Sequence, residues 1–239
     1  KGEKLPPGEF GVMHGYMKIP ELKKVCHAYG VSINEYLVAV YVWSVYTECM
    51  HGMPSERPVR VAVPVNLRPY FNSITTKNFF VMVSAEFHPT KEIYTFEEVL
   101  KSVSESLRSQ ISRENLEKLF SYNVSNEKLL AARIVPLFLK NLAMRYVYTT
   151  SALANTATVT NIGNISVSEE YRPYVEMFHA FLAMSKGQHL KGTICSYGDT
   201  LVFSFSYDLT DTSVQRGFFR KIAADGIAVE IETNGVNYE

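Results

Sequence analysis

The chain of 239 residues is 46% hydrophobic and 20% charged, with 24 basic and 24 acidic side chains. A chain of this size buries roughly 70% of its unfolded surface, so its core needs no disulfide or metal staple, and the composition excludes intrinsic disorder. Balanced charge, with no basic stripe beyond pairs such as Lys23-Lys24, removes the long-range attraction that nucleic acid or an anionic membrane would need.

Cys26, Cys49 and Cys195 are odd in number and far apart, which reads as reduced thiols of a cytoplasmic protein; no zinc-ligand spacing occurs, and no metal site is expected. The longest apolar run, Tyr36 to Trp43, falls far short of the ~20 residues that span a bilayer, and no segment reads as a signal peptide. The chain opens on Lys1 rather than Met, so a fragment or a processed chain is expected.

Residues 1–16, with Pro6, Pro7, Gly8, Gly11 and Gly15, read as a linker leading into a single domain over 17–239. Pro20 and Gly30 bracket a first helix. Ser32 and Glu35 form a capping box for a second helix whose body is apolar on every side, as in a helix buried against a sheet. Strands are expected over 59–67, interrupted by Pro64, and over 78–87. Thr95 and Glu98 cap a long helix with the stripe Phe96, Val99, Leu100, Val103, Leu107 and Ile111. Residues 128–148 read as helical, with a kink or break at Pro136.

The last third changes period. Strands are expected over 156–167, 175–184, 190–197 and 201–207, with Gly198-Asp199 turning between the last two. A helix over 212–224 and a strand over 227–232 end the chain. Helices grouped early and antiparallel strands late predict an α+β fold: a mixed, largely antiparallel sheet backed by helices on one face.

None of the six histidines makes a convincing local site. His14 and His51 lie in Gly-rich turns, His27 near a helix end and His189 in a turn. His179 sits on an apolar strand as a core residue. His88 with Glu92 imitates a base–acid spacing, but on a turn before Pro89. Thr160-Asn161-Ile162-Gly163-Asn164 is too short for a phosphate cradle. It reads as a strand with a glycine bulge, or as a hydroxyl and an amide placed to stabilise developing negative charge.

Three segments resemble the CoA-dependent acyltransferase superfamily, which includes chloramphenicol acetyltransferase, dihydrolipoamide acyltransferases and peptide-synthetase condensation domains. Val63-Pro64-Val65-Asn66-Leu67-Arg68, followed by Lys77-Asn78-Phe79-Phe80, is similar to a motif pair in the carboxy-terminal half of alcohol-acetyltransferase-like members. Val159-Thr160-Asn161-Ile162-Gly163 is similar to the strand whose hydroxyl bonds the oxyanion of the tetrahedral intermediate. Thr200 to Asp208 is similar to the strand leading into the catalytic histidine motif.

The chain departs from that motif at Leu209, which occupies the histidine position and cannot accept a proton. In two-half members only the amino-terminal half keeps the histidine, so the resemblance implies a carboxy-terminal half that is inactive alone. Thr160 would bond the oxyanion, with Asn161 and Gly163 shaping the substrate site. Arg68 and Asn78 are expected to lock the strand–loop–strand corner rather than touch substrate.

The complete protein would move an acyl group from acyl-CoA or a carrier-bound thioester, with no covalently bound cofactor, to an alcohol or amine. The partner implied is the amino-terminal half, and the isolated chain is expected to self-associate through the uncovered surface. Two other readings stay open: a non-catalytic, acyltransferase-like interaction domain, and a free-standing enzyme using His88 or His179.

Overall fold

A computed structural model describes residues 2–128, 135–185 and 187–236. Strand β1 (Gly11–Lys18) leads into helices α1 (Ile19–Tyr29) and α2 (Ile33–Ser44), the latter continued by a wider π-turn over Val45–Cys49. Strand β2 (Val59–Asn66), a short helix α3 (Arg68–Phe71) and strand β3 (Phe80–Phe87) follow. Helices α4 (Phe96–Gln110), α5 (Arg113–Lys128) and α6 (Leu137–Leu153) precede strand β4 (Ala157–Asn164). Strands β5 (Leu190–Tyr197) and β6 (Thr200–Tyr207), helix α7 (Ser213–Ala224) and strand β7 (Glu230–Thr233) complete the described chain.

The seven strands form one sheet in the order β3-β2-β4-β5-β6-β1-β7. The β2–β4 and β4–β5 pairs are parallel and the others antiparallel. This is the mixed, largely antiparallel α+β arrangement expected from the sequence.

Local chemistry explains the helices. Gly30 closes α1 in the left-handed region at φ 67°, where glycine alone carries no steric penalty. The Ser32 hydroxyl accepts from the Glu35 amide at 3.2 Å, and the Glu35 carboxylate accepts from the Ser32 amide at 2.7 Å. The same carboxylate accepts from the Arg108 guanidinium of α4, so one side chain caps one helix and ties it to another. Tyr36 through Val42 have no exposed surface. Phe96, which opens α4, meets Tyr36 and Trp43 edge-on at 6.1 and 6.0 Å, and Tyr41 lies 5.7 Å from Phe205 of β6. The tyrosine hydroxyls that α2 buries are answered: Tyr36 donates to Asp225 at 2.7 Å and Tyr41 to the Leu190 carbonyl at 3.3 Å.

Four sequence expectations change. The linker over 1–16 ends early, because from Gly11 onward the chain is β1, paired along eight residues with β6. Its glycines do not make turns there. A Cβ on Gly11 would lie 2.1 Å from the Tyr207 ring, and one on Gly15 would lie 2.1 Å from the Phe219 ring. Residues 175–184 are not a strand; they run across the face of the sheet opposite the helices, where the Phe178 and Ala183 carbonyls accept from Cys195 and Lys191 at 3.3 and 2.8 Å. Residues 113–128 form α5, which the sequence reading left unassigned. Of the helical stretch expected over 128–148, residues 129–134 lie outside the described residues, and α6 begins just after Pro136.

Two outcomes follow from this packing. Gly15→Ala drives a methyl into the buried Phe219 ring and is expected to lower stability by about 1–3 kcal/mol, the usual range for overpacking, read by urea unfolding with fluorescence detection. Burial alone would raise the Glu35 carboxyl, but the Arg108 hydrogen bonds and the Ser32 amide outweigh it and hold the group below its ordinary value. Its contribution to stability is therefore full above the unfolded value of about 4.3 and disappears as pH falls through the lower folded value. Glu35→Gln should lower the unfolding midpoint at pH 7, and the gap from wild type should close in acid below that window.

Candidate functional site

Strand β4 alternates cleanly. Ala157 and Val159 are buried against the helices, which turns Thr158 and Thr160 to the opposite face. The register slips after Asn161: Asn161 pairs with Ile194 but Gly163 pairs with Cys195, leaving Ile162 as the extra residue. Gly163 sits at φ +86° with open space beside its Cα, so backbone conformation rather than room requires the glycine. The Asn161 amide oxygen accepts from the Gly163 N–H at 2.8 Å, and its amide nitrogen donates to Asn34 at 3.3 Å at the start of α2. Asn161 and Gly163 therefore build the bulge and anchor it to a helix. The half-buried Thr160 hydroxyl makes no hydrogen bond among the described residues.

Register places Thr160 at the end of a polar row across the sheet. Thr160 pairs with Thr193, Thr193 with Ser204, Ser204 with His14 and His14 with Glu232. The segment 175–184 reaches this face through Cys195 and Lys191 and, at His14, through His179. Thr193 and the neighbouring Ser206 keep buried hydroxyls without partners among the described residues, and burial pulls the Lys191 ammonium below its ordinary value.

At the far end a connected cluster forms. His14 Nδ1 lies 2.7 Å from the Ser204 hydroxyl, His179 stacks on His14 with 4.5 Å between centroids, and His179 Nε2 lies 3.0 Å from the Tyr16 hydroxyl, which donates to Glu232. Burial, together with the neighbouring His179, holds the His14 imidazole below its ordinary value against the pull of Glu232. At about 4.8 Å per strand, His14 and Thr160 are roughly 14 Å apart, so the two ends cannot act on one reacting atom. The sequence reading placed His14 in a turn and His179 in a core strand. The polar alternation of His14, Tyr16 and Lys18 was the signal that a strand face, and not a turn, begins there.

The sequence after β6 contains no histidine. Leu209 is half-buried and bridges Lys4. The preceding Asp208 lies 2.9 Å from His189 Nδ1, and their backbones are bonded as well, so this pair ties the end of β6 to the approach to β5. His88 lies 3.4 Å from Glu86, not Glu92, and is exposed. At the β2–β3 corner Arg68 donates to the Thr75 and Lys77 carbonyls at 2.9 and 2.6 Å and to Asn66 at 3.2 Å. Arg68 locks the corner as expected, with Asn66 in the place given to Asn78. Among the described residues no cluster of His, Cys, Asp or Glu is arranged to hold a metal ion, and no helix is long and apolar enough to cross a membrane.

No family model and no curated protein sequence matches the chain. Solved structures do. Trichothecene 15-O-acetyltransferase from Fusarium sporotrichioides is similar over 94% of this chain and 48% of its own, with a TM-score of 0.60 and 14% identity. The nonribosomal peptide synthetase FmoA3 is similar over 95% of this chain and 22% of its own, with a TM-score of 0.60 and 15% identity. The wax ester synthase/diacylglycerol acyltransferase from Marinobacter aquaeolei VT8 is similar over 94% of this chain and 51% of its own, with a TM-score of 0.51 and 15% identity. The chain thus spans about half the length of the two single acyltransferases. These likenesses show that the chain has the CoA-dependent acyltransferase fold.

Proposed function

We propose that the chain is the carboxy-terminal half of an acyltransferase that moves an acyl group from a thioester, acyl-CoA or carrier-bound, to an alcohol or amine. The observation that carries the reading is the unpartnered Thr160 hydroxyl on a strand whose neighbouring polar groups, Asn161 and Gly163, are bonded to each other. A hydroxyl held on a rigid strand and left without a protein acceptor is free to donate to charge that appears only during reaction.

In the complete protein a histidine of the amino-terminal half would take the proton from the acceptor O–H or N–H. The acceptor oxygen or nitrogen then bonds the thioester carbonyl carbon, and the carbonyl oxygen gains the negative charge to which Thr160 donates. Collapse of this intermediate breaks the C–S bond, and the imidazolium returns its proton to the departing thiolate. Leu209 supplies none of these proton transfers, which is why the second half is required. Helix α6 supports the same reading: Leu137, Phe138, Leu142 and Met144 all stand exposed, Phe138 at 71%, an apolar load that a partner half would cover.

In the complete protein Thr160→Val keeps strand shape and is expected to slow single-turnover thioester consumption by ~10²–10³, the usual effect of losing one oxyanion donor. His88→Ala should leave that rate unchanged, and residues 1–239 alone should show none. A wild-type rate for Thr160→Val removes the oxyanion role; robust activity of the isolated chain overturns the half-enzyme reading. Sedimentation of the isolated chain should show self-association at micromolar concentration, reduced by Phe138→Glu with Leu142→Glu.

A further inference from the structure

Away from β4, on the helix side of the opposite sheet edge, α7 and β7 leave a groove of about 490 Å3 between them. Met13, Tyr207, Phe219 and Ile231 line it with apolar surface, and Arg216 and Arg220 stand on its α7 side. The floor is preformed. Gly11 and Gly15 of β1 give up their side chains to admit the Tyr207 and Phe219 rings. Asn234 pins the chain beyond β7 by accepting from the Val12 amide and donating to the Phe10 carbonyl, both at 3.0 Å.

The two guanidinium groups are one helical turn apart, exposed, and make no ion pair or hydrogen bond among the described residues. Like charges at that spacing oppose the helix. Their neighbour Lys221 is treated differently, since it is paired with Asp225 four residues on. The acids of β7 do not help either: Glu230 and Glu232 line the cavity around Tyr16 on the other face.

We propose that this groove binds a single-chain anionic amphiphile, the acyl chain lying on the Met13, Tyr207, Phe219 and Ile231 surface and the carboxylate on Arg216 and Arg220. A volume of 490 Å3 falls within the range of small-ligand sites, about 300–1,000 Å3. Two arginines one turn apart match a carboxylate or phosphate head through charge-assisted, bidentate hydrogen bonds. The inference does not rest on the acyltransferase reading, because neither Thr160 nor the missing base takes part.

Calorimetric titration of the intact 239-residue chain with octanoate, decanoate and dodecanoate, below their micellar concentrations, tests the proposal. Affinity is expected to rise about fourfold per added methylene, and decanoate should bind about tenfold more tightly than decanol. Arg216→Gln with Arg220→Gln should abolish the preference for decanoate and leave decanol binding unchanged. Ala223→Trp, at an exposed position on the groove wall, should block both ligands while circular dichroism stays native. Decyl phosphate binding with the same arginine dependence supports the site with a phosphate head. Decanoate affinity insensitive to the arginine pair, binding that survives Ala223→Trp, or a groove closed by a second copy so that no ligand binds would each overturn it.

Discussion

A helix with no polar side must be covered on every side, and the rest of this fold follows from that requirement. Tyr36 through Val42 of α2 are completely buried, and no single sheet face encloses a cylinder. The sheet covers one flank, where Tyr41 meets Phe205; α4 covers another through Phe96; and α7 closes a third, with Asp225 at its end receiving the Tyr36 hydroxyl. The two tyrosine hydroxyls that α2 carries inward would each cost roughly 1–3 kcal/mol if left unbonded. The positions of Asp225 and of the Leu190 carbonyl are therefore as constrained as those of the apolar side chains around them.

The open face of the sheet is organised differently. It carries threonines, serines, a lysine and His14 where an ordinary core would carry aliphatic side chains, and the segment 175–184, with His179, lies over them. Hydrogen bonds there join side chains of the sheet to carbonyls of the covering segment and strand to strand, as between His14 and Ser204 and from Tyr16 to Glu232. This layer leaves the Thr193 and Ser206 hydroxyls unanswered among the described residues. Thr160 lies at one end of this layer and the His14–His179 cluster at the other, with two strands between β4 and β1.

The parts legible in the sequence were those written in local chemistry. Both capping boxes stand where Ser32, Glu35, Thr95 and Glu98 placed them, and the glycine bulge after Asn161 was readable because a positive φ has few other tenants. Strand β1 was masked in the sequence despite the alternation of His14, Tyr16 and Lys18, because Gly11 and Gly15 look like turn residues until Tyr207 and Phe219 are brought from the far end of the chain to fill the space above them. Residues 175–184 failed for the reverse reason. Their alternation is that of a segment with one face on a sheet, and nothing local says whether it lies in the sheet or across it. For Thr160 the strand and its outward face were legible, but the lack of a partner for its hydroxyl depends on what the neighbouring strand and the covering segment bring beside it.

Strand β1 lies between β6 and β7, so residues 11–18 find both of their neighbours only after residue 200. During synthesis β1 must wait until β6 and β7 have been made before its hydrogen bonds are met, at a rate of about 5–20 residues per second. During that interval α1 and α2 exist without the sheet that covers them, and the apolar surface of α2 is open to other chains. Pairing of such high sequence separation also slows folding itself, since loop-closure entropy is lost before any contact is gained. The α2–α4 contact, which involves only the first half of the chain, can shelter part of that surface before β6 and β7 are made.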